Sequence, residues 1–383
     1  MKIIIIGGSM AGLSAGLALH CKGFTTIIYE QSSAEMEFRG AGLGIQADMV
    51  DYMLSHGIIS ADLLGVPSPK VKVLDQSGRA TVSYNGGITT FTSWSHIWRH
   101  LKNHYPTDQF SFSHRVDRIT DADGKVTVHF TNGHSDTADL LVGADGYHSA
   151  VRNHTFPGSQ PFYAGYVAYR GLVPESSLSD EEIDFFENAL TVFDYPNARM
   201  MVYLVPGRNG EVERGQRILN WAWANNQPEE QMQRTMMDVS GHQFEFSISP
   251  GGMSASGVSE LNLLAQVKLP KQLRKLVAKT KQPFAQAIVD LSVPQMYKSR
   301  IALIGDAAYV VRPHTASGTA KAYRDAIELA ENLSAFPEQP DLALAAWNQS
   351  RQNETEQLAE LGKQLSKRIG LGYSQNFHDF NLI

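Results

Sequence analysis

Three places in this chain carry a residue pattern that could do chemistry, and each stands where a buried strand ends. In "LIGDAAYVVRPHTASGTAKAYRDA", residues 303–326, an apolar run delivers Gly305 and Asp306 to its own tip. A Pro-His-Thr turn and a run of small residues with helical spacing follow. In "DLLVGADGYHSAVR", residues 139–152, a similar run ends at Gly143 and is followed by Asp145 and Gly146. At the start, "MKIIIIGGSMAGLSAGLALHCKGFTTIIYEQ", glycines follow four isoleucines. An acid or glycine at a strand tip is where an open α/β sheet holds a ligand, through backbone N–H donors and carboxylate acceptors.

The first segment is the most specific. Ile3 to Ile6 read as a buried parallel strand, Leu13 to Cys21 as a small-residue helix closed near Gly23, and "TTIIYE" as a second strand. Within this βαβ unit Gly7, Ser9 and Gly12 occupy the G-x-G-x-x-G positions, with serine at the middle one. Small residues let backbone donors of Gly7, Gly8, Ser9, Met10, Ala11 and Gly12 approach a pyrophosphate at a helix N-terminus. Glu30 ends the second strand, with Gln31 after it, where a carboxylate accepts from a ribose diol. The unit therefore predicts an adenine dinucleotide site, and alone it does not separate FAD from NAD. Three strand-tip sites spread over 300 residues point to one long cofactor touched at several places, which favours FAD.

The elements that must position these groups divide the chain. The cofactor motifs fall at 7–46, 99–152 and 301–326. Between 156 and 295, "YAGYVAYRGLV", "ALTVFDY", "RMMVYLV" and "ILNWAWAN" alternate or run apolar at strand spacing, predicting an inserted antiparallel sheet joined by "KVKVLDQSGRATVSY". From Asp341 the pattern is helical to near the end. The expected fold class is α/β: a Rossmann-like FAD-binding domain of the glutathione reductase type, an inserted antiparallel β-sheet substrate domain, and C-terminal helices. The expected division is 1–70, 95–155 and 296–340 for the cofactor domain, 71–94 with 156–295 for the substrate domain, and 341–383 for the helical segment.

The 383-residue chain has 43% apolar and 19% charged residues, a net charge of −6 and one cysteine, Cys21. That excludes an intrachain disulfide. Thirteen histidines stand in no metal-binding spacing. The acidic balance and the lack of a Lys/Arg run argue against nucleic acid. No apolar run nears the ~20 residues of a membrane span. A cytoplasmic protein is expected.

Together, in this order and spacing, the glycine start, the DG pair and the GD pair resemble the group A FAD-dependent aromatic hydroxylases, the p-hydroxybenzoate hydroxylase family, over nearly the whole chain. "IIGGSMAGLSAGLAL", "YAGYVAYRG" and "RPHTASGTAKA" look most like the 2,6-dihydroxypyridine 3-hydroxylase subgroup, which also carries serine at the Ser9 position. Hydroxynicotinate hydroxylases and tetracycline-inactivating monooxygenases are among its relatives.

The resemblance implies a single-component monooxygenase using FAD, NADH or NADPH, and O2. It would hydroxylate an electron-rich ring of hydroxypyridine type through a flavin C4a-hydroperoxide, with no domain for the nicotinamide cofactor. It implies that Asp306, with Gly305, binds flavin ribityl or ribose hydroxyls, and that Asp145 and Gly146 sit near the pyrophosphate. It places Pro313 and His314 at the isoalloxazine ring, as candidate catalytic residues. Thr315, Ala316, Ser317 and Gly318 would turn backbone donors toward the N1/C2 edge, where reduced flavin gathers charge. Arg39, in "FRGAGLGI", and Arg99, in "HIWRHL", match cofactor-contacting arginines of the family. Tyr309 stands where histidine is common.

A larger polycyclic phenol such as an antibiotic is the alternative substrate. A flavin-dependent reductase or a non-catalytic flavin-binding protein is the alternative function. A homodimer is kept open. "WAWAN" is similar to a flavin-halogenase motif but lacks its Ile-Pro, so Trp221 and Trp223 are read as sheet packing. His96 and His100 are read as helix surface or interface. Tyr166, Tyr169, Phe193 and Tyr203 are divided between core and pocket by no sequence signal.

Overall fold

A computed structural model describes residues 1–33 and 41–372, with backbone only for 85–88. The strands are β1 (Lys2–Ile6), β2 (Thr25–Tyr29), β3 (Gly42–Gly44), β4 (Val66–Leu74), β5 (Ala80–Ser93) and β6 (Phe110–Ser111). Then come β7 (Val116–Ala122), β8 (Lys125–Phe130), β9 (Ser135–Ala138), β10 (Leu140–Gly143), β11 (Phe162–Pro174) and β12 (Ala189–Tyr195). Last are β13 (Ala198–Val205), β14 (Ile218–Asn226), β15 (Ser247–Ile248), β16 (Phe284–Asp290), β17 (Tyr297–Lys298) and β18 (Ile301–Leu303). The helices are α1 (Met10–Cys21), α2 (Ala47–Ser55), α3 (Trp94–His104), α4 (Ala150–Thr155) and α5 (Asp180–Phe186). After them run α6 (Glu229–Thr235), α7 (Ala255–Lys268), α8 (Lys271–Lys279), α9 (Gly318–Ala335) and α10 (Pro340–Ile369).

The first sheet has the order β17-β18-β10-β1-β2-β6. Its central strands are parallel: Ile3 to Ile6 pair with Leu140 to Gly143 on one side and with Thr26 to Tyr29 on the other. Both faces are covered, which is why β1 and β10 are apolar without alternation. Helices α1 and α9 pack together on one face. On the other lies the antiparallel meander β7-β8-β9, which gives Val126, Val128 and Phe130 to the same core. Ten of the twelve residues of α1, Met10 to Leu19, are buried, and its small side chains allow that enclosure. A Cβ on Gly16 would meet the Tyr105 ring at 2.7 Å.

The second sheet has nine strands, β15-β16-β11-β14-β13-β12-β4-β5-β3, antiparallel except where β12 meets β4. One face carries Val167, Tyr169, Val173, Phe193, Met200, Val202, Trp221 and Trp223, covered by residues of α6, α7 and α8 such as Met232, Leu261 and Leu273. The two tryptophans are therefore sheet core, as read. Strand β3 and the first residues of β4 lie in this sheet, although the sequence division assigned 1–70 to the cofactor part. Antiparallel pairing with β5 draws them there. The helix expected from Asp341 is α10, closed by Gly370 at φ 80°.

One expectation is corrected. His96 is buried, not at the surface: its Nε2 lies 2.7 Å from the Leu63 carbonyl. The apolar face of α3 that buries Ile97, Trp98 and Leu101 carries it inward.

Candidate active site

The start of α1 is shaped for an anion. Gly7 adopts φ 104°, and a Cβ there would lie 2.4 Å from the Ala144 carbonyl oxygen. A Cβ at Gly12 would lie 1.8 Å from the Gly7 carbonyl oxygen. Ser9 is the N-cap, its side chain makes no capping bond, and the first turn holds no acid. The helix N–H groups and dipole are thus left for a ligand. Met10 and Ala11 follow inside the helix, buried.

Glu30 is buried at the next strand tip, where its carboxylate accepts the Gly8 N–H at 2.8 Å and the Ser32 N–H at 2.8 Å. Gln31 beside it is exposed. Trp98 of α3 donates its indole N–H to the Gly8 carbonyl at 2.9 Å. The turn is therefore clamped from two sides, and nothing in the sequence pattern pointed to Trp98.

The other motifs meet this turn. Gly305 has φ 59°, and a Cβ on it would come within 2.9 Å of the Ala11 Cβ. Ala144, which Gly7 approaches so closely, directly precedes Asp145. The three glycine motifs converge at one edge of the first sheet. Asp306 is enclosed by protein and yet solvent-exposed, a combination that puts its carboxylate on the floor of an open cleft. Burial raises its pKa, Lys321 opposes the shift and Asp325 adds to it.

Beneath Asp306 a buried ion network holds the strand tip. Lys321 Nζ donates to the Gly305 carbonyl at 2.9 Å and to Asp325 at 2.8 Å. Asp325 accepts the Gly305 N–H at 3.0 Å and the Arg351 Nε–H at 3.0 Å. The sequence reading missed this set. Its only local trace is the i,i+4 spacing of Lys321 and Asp325 on α9.

The loop after the GD pair is also tightly made. Pro313–Thr315 forms one 3₁₀ turn, and Ala316 takes the left-handed conformation at φ 53°. Ser317 caps α9 without a side-chain bond, and the first turn carries no acid, so its donors too are open. The His314 Nε2 lies 2.9 Å from the Tyr166 hydroxyl. Burial, helped by Arg199 and Arg312, lowers the His314 pKa to about 4, so the ring is neutral near pH 7.

The comparisons with known proteins fall in line with this geometry. A family described as FAD binding domain-like matches residues 163–290. The 2,6-dihydroxypyridine 3-monooxygenase of Paenarthrobacter nicotinovorans is 29% identical over 377 residues, 97% of this chain and 92% of that one. The 6-hydroxynicotinate 3-monooxygenase of Bordetella bronchiseptica is 25% identical over 349 residues, 86% of this chain and 81% of that one. The solved 2,6-dihydroxypyridine-3-hydroxylase from Arthrobacter nicotinovorans superposes with a TM-score of 0.91 at 27% identity, covering 99% of this chain and 95% of that one.

The chain is an FAD-dependent monooxygenase of the aromatic-hydroxylase kind. The site fits the cofactor: glycines a side chain would block, two helix starts free of acids, and an open acid at a strand tip.

The remaining expected residues of the monooxygenase have definite places. Asp145 turns its carboxylate into the start of α4, accepting from the Ser149 hydroxyl, the Ala150 N–H at 2.7 Å and the Val151 N–H at 3.2 Å. Gly146 follows at φ 74°. Burial raises the Asp145 pKa against those donors. Arg99, on α3, donates to the Arg208 carbonyl at 2.9 Å. Arg39 lies outside the described residues.

The face of the second sheet opposite its helices carries Tyr166, Ala168, Arg170, Ala222, Ala224, Arg199, Met201 and Tyr203 in register. Tyr203 stacks on Phe91 at 4.0 Å between centroids, and Phe91 packs against Gly44, whose added Cβ would touch Ala316. The open face therefore looks onto the Pro313 loop. Tyr166 and Tyr203 belong to it, whereas Tyr169 and Phe193 belong to the helix-covered core.

Proposed function

We propose that this monooxygenase hydroxylates a small hydroxylated N-heteroaromatic ring of the hydroxypyridine type, using NADH or NADPH and O2. The observation that carries the substrate class is the similarity to a dihydroxypyridine hydroxylase along nearly the whole chain, at 29% identity in sequence and a TM-score of 0.91 in fold. FAD, when bound, supplies the hydride acceptance and oxygen activation. The chain's residues bind, orient and shield.

Under this reading Gly7, Gly8, Ser9, Met10, Ala11 and Gly12 cradle the pyrophosphate, and Glu30 with Gln31 addresses the adenosine ribose. Gly305 and Asp306 hold the flavin-side hydroxyls, and Asp145 with Gly146 lies at the pyrophosphate. Arg99 flanks the cofactor. Residues 1–70, 95–155 and 296–340 form the cofactor domain and 71–94 with 156–295 the substrate domain, except that β3 and the start of β4 run in the substrate sheet. Thr315, Ala316, Ser317 and Gly318 present N–H donors to the edge of the ring where reduction gathers charge. Pro313 and His314 shape that loop. His314 acts as a positioning residue, since a neutral imidazole bonded to Tyr166 sets the loop against the sheet. The aromatic and aliphatic sheet face excludes water, which keeps activated oxygen for the ring.

The test is oxygen uptake and NAD(P)H oxidation by the purified holoprotein with a panel of hydroxypyridines and hydroxynicotinates. At least one should raise the rate tenfold or more and be recovered with one added hydroxyl. If the rate stays at background with every pyridine and rises with a larger phenol, the pyridine assignment is wrong.

A further inference from the structure

On the open face of the second sheet, one cation lacks an anion. Arg199 is committed to Asp194 by two bonds of 2.7 Å. Arg312 is committed to Asp290 at 2.6 and 2.9 Å. Arg170, on β11 between Ala222 of β14 and Phe284 of β16, is surrounded by protein. Its Nε–H is enclosed and has no hydrogen-bond partner, and no carboxylate among the described residues pairs with it. Part of its side chain is still reached by solvent, so the guanidinium stands at the wall of a cleft.

Its neighbours make that cleft a pocket. Ala222 lies directly across from Arg170, and Ala168 and Ala224 pair one step along the same face. Ala168 and Ala224 are buried with Tyr166 and Leu371, which leaves the half-buried Ala222 as the small side chain open beside the guanidinium. Beyond these alanines Tyr166 holds His314, four residues from Arg170 and about 13 Å along the strand. Asn220, on the same face, accepts the Gly42 N–H at 2.9 Å while its own buried side-chain NH2 has no partner. An enclosed guanidinium with no acid is costly in a folded chain, and a fork of N–H donors matches a planar oxyanion.

We propose that Arg170 is the residue that receives the negative charge of the aromatic substrate, whether an ionised ring oxygen or a ring carboxylate. The charge is drawn to the guanidinium, and the ring lies beside Ala222, facing the Pro313 loop. This deepens the reading of the chain as a hydroxylase of small ionisable rings and rests on it for the identity of the ring. Burial lowers the Arg170 pKa, the direction expected of a cation whose partner comes with the ligand.

The test is binding to the holoprotein, read from the perturbation of flavin absorbance, with probes matched in shape and differing in charge. Nicotinate against nicotinamide examines the carboxylate source. A nitrophenol measured below and above its own pKa examines the oxyanion source. The wild-type protein should bind at least one anionic form tenfold or more tightly than its neutral counterpart. Arg170→Met should lose that preference while keeping FAD content and thermal midpoint, and Arg170→Lys should retain part of it.

Equal binding of anionic and neutral probes by the wild type, or an undiminished preference in Arg170→Met, overturns the proposal. Should Arg170→Met fail to fold, the wild-type preference and its weakening in Arg170→Lys decide the matter. An anion preference that depends on Arg170, in a protein that no hydroxypyridine stimulates, leaves this assignment standing and refutes the hydroxypyridine reading alone.

Discussion

Single residues at the strand tips carry the most direct consequences. Asp306 is open at the floor of its cleft, so replacing it leaves the fold intact and removes charge-assisted hydrogen bonds to the cofactor, roughly 1.5–3 kcal/mol each. Asp306→Ala should therefore retain FAD at least tenfold less tightly, measured by flavin fluorescence titration of the apoprotein. Unchanged affinity would remove Asp306 from the site.

His314 gives a pH prediction whose sign follows from its burial. Unfolded, it takes up a proton as pH falls through about 6.5. Folded, it refuses one until about 4. The unfolded state binds more protons across that window, so His314 lowers stability as pH falls from 6.5 toward 4. His314→Asn should lose less of its urea stability between pH 7 and pH 5 than the wild type does. Parallel losses would place the histidine in solvent.

At the scale of elements, the join between α9 and β18 is the weight-bearing one. Asp325 receives Lys321, Arg351 and the Gly305 N–H in a site with no solvent access. Removing its charge strands the buried Lys321, while Arg351 keeps Glu328 and Glu354. Asp325→Asn should destabilise the protein by about 3–5 kcal/mol. Because the Gly305 turn then loses its support, FAD affinity should fall with it. Ser93→Ala, which removes the N-cap of α3, is the control: about 1 kcal/mol by the usual value of a serine cap, with FAD binding kept. Chemical denaturation of both variants separates the two effects. Equal losses in the two would deny the network its role.

Across the whole molecule, the two sheets and the last helix are tied at one point. Arg312, just before the Pro-His-Thr turn, reaches Asp290 at the end of β16 and donates to the Ser366 hydroxyl of α10 at 2.9 Å. Tyr166 adds the bond to His314. The Pro313 loop is thus held from the second sheet. Tyr166→Phe removes only a hydroxyl, and should keep FAD while a larger share of consumed oxygen leaves as hydrogen peroxide. A peroxide yield equal to wild type would show that the bond does not hold the loop.

The local units of this fold were legible because their signals are short-ranged. Four isoleucines before glycines, a helix of small residues and a strand closing on Glu30 are each set by sterics within a few residues. The glycine turn, both strand-tip acids and the Pro313 loop could be read that way, and so could the packing role of Trp221 and Trp223. What the tertiary structure decided is everything that depends on which face a strand presents and what crosses the chain to meet it. Nothing local distinguishes Tyr166 and Tyr203 from Tyr169 and Phe193, since a strand places alternate residues on opposite faces and only the helices laid on one face make it the core. His96 went inside because α3 turned its apolar side inward. Trp98, Asp325 and Arg351 gained their partners from segments up to 90 residues away. Arg170 became a half-buried cation without an acid only once the strands on either side of it were in register, because charge compensation belongs to the surrounding volume and not to the sequence around it.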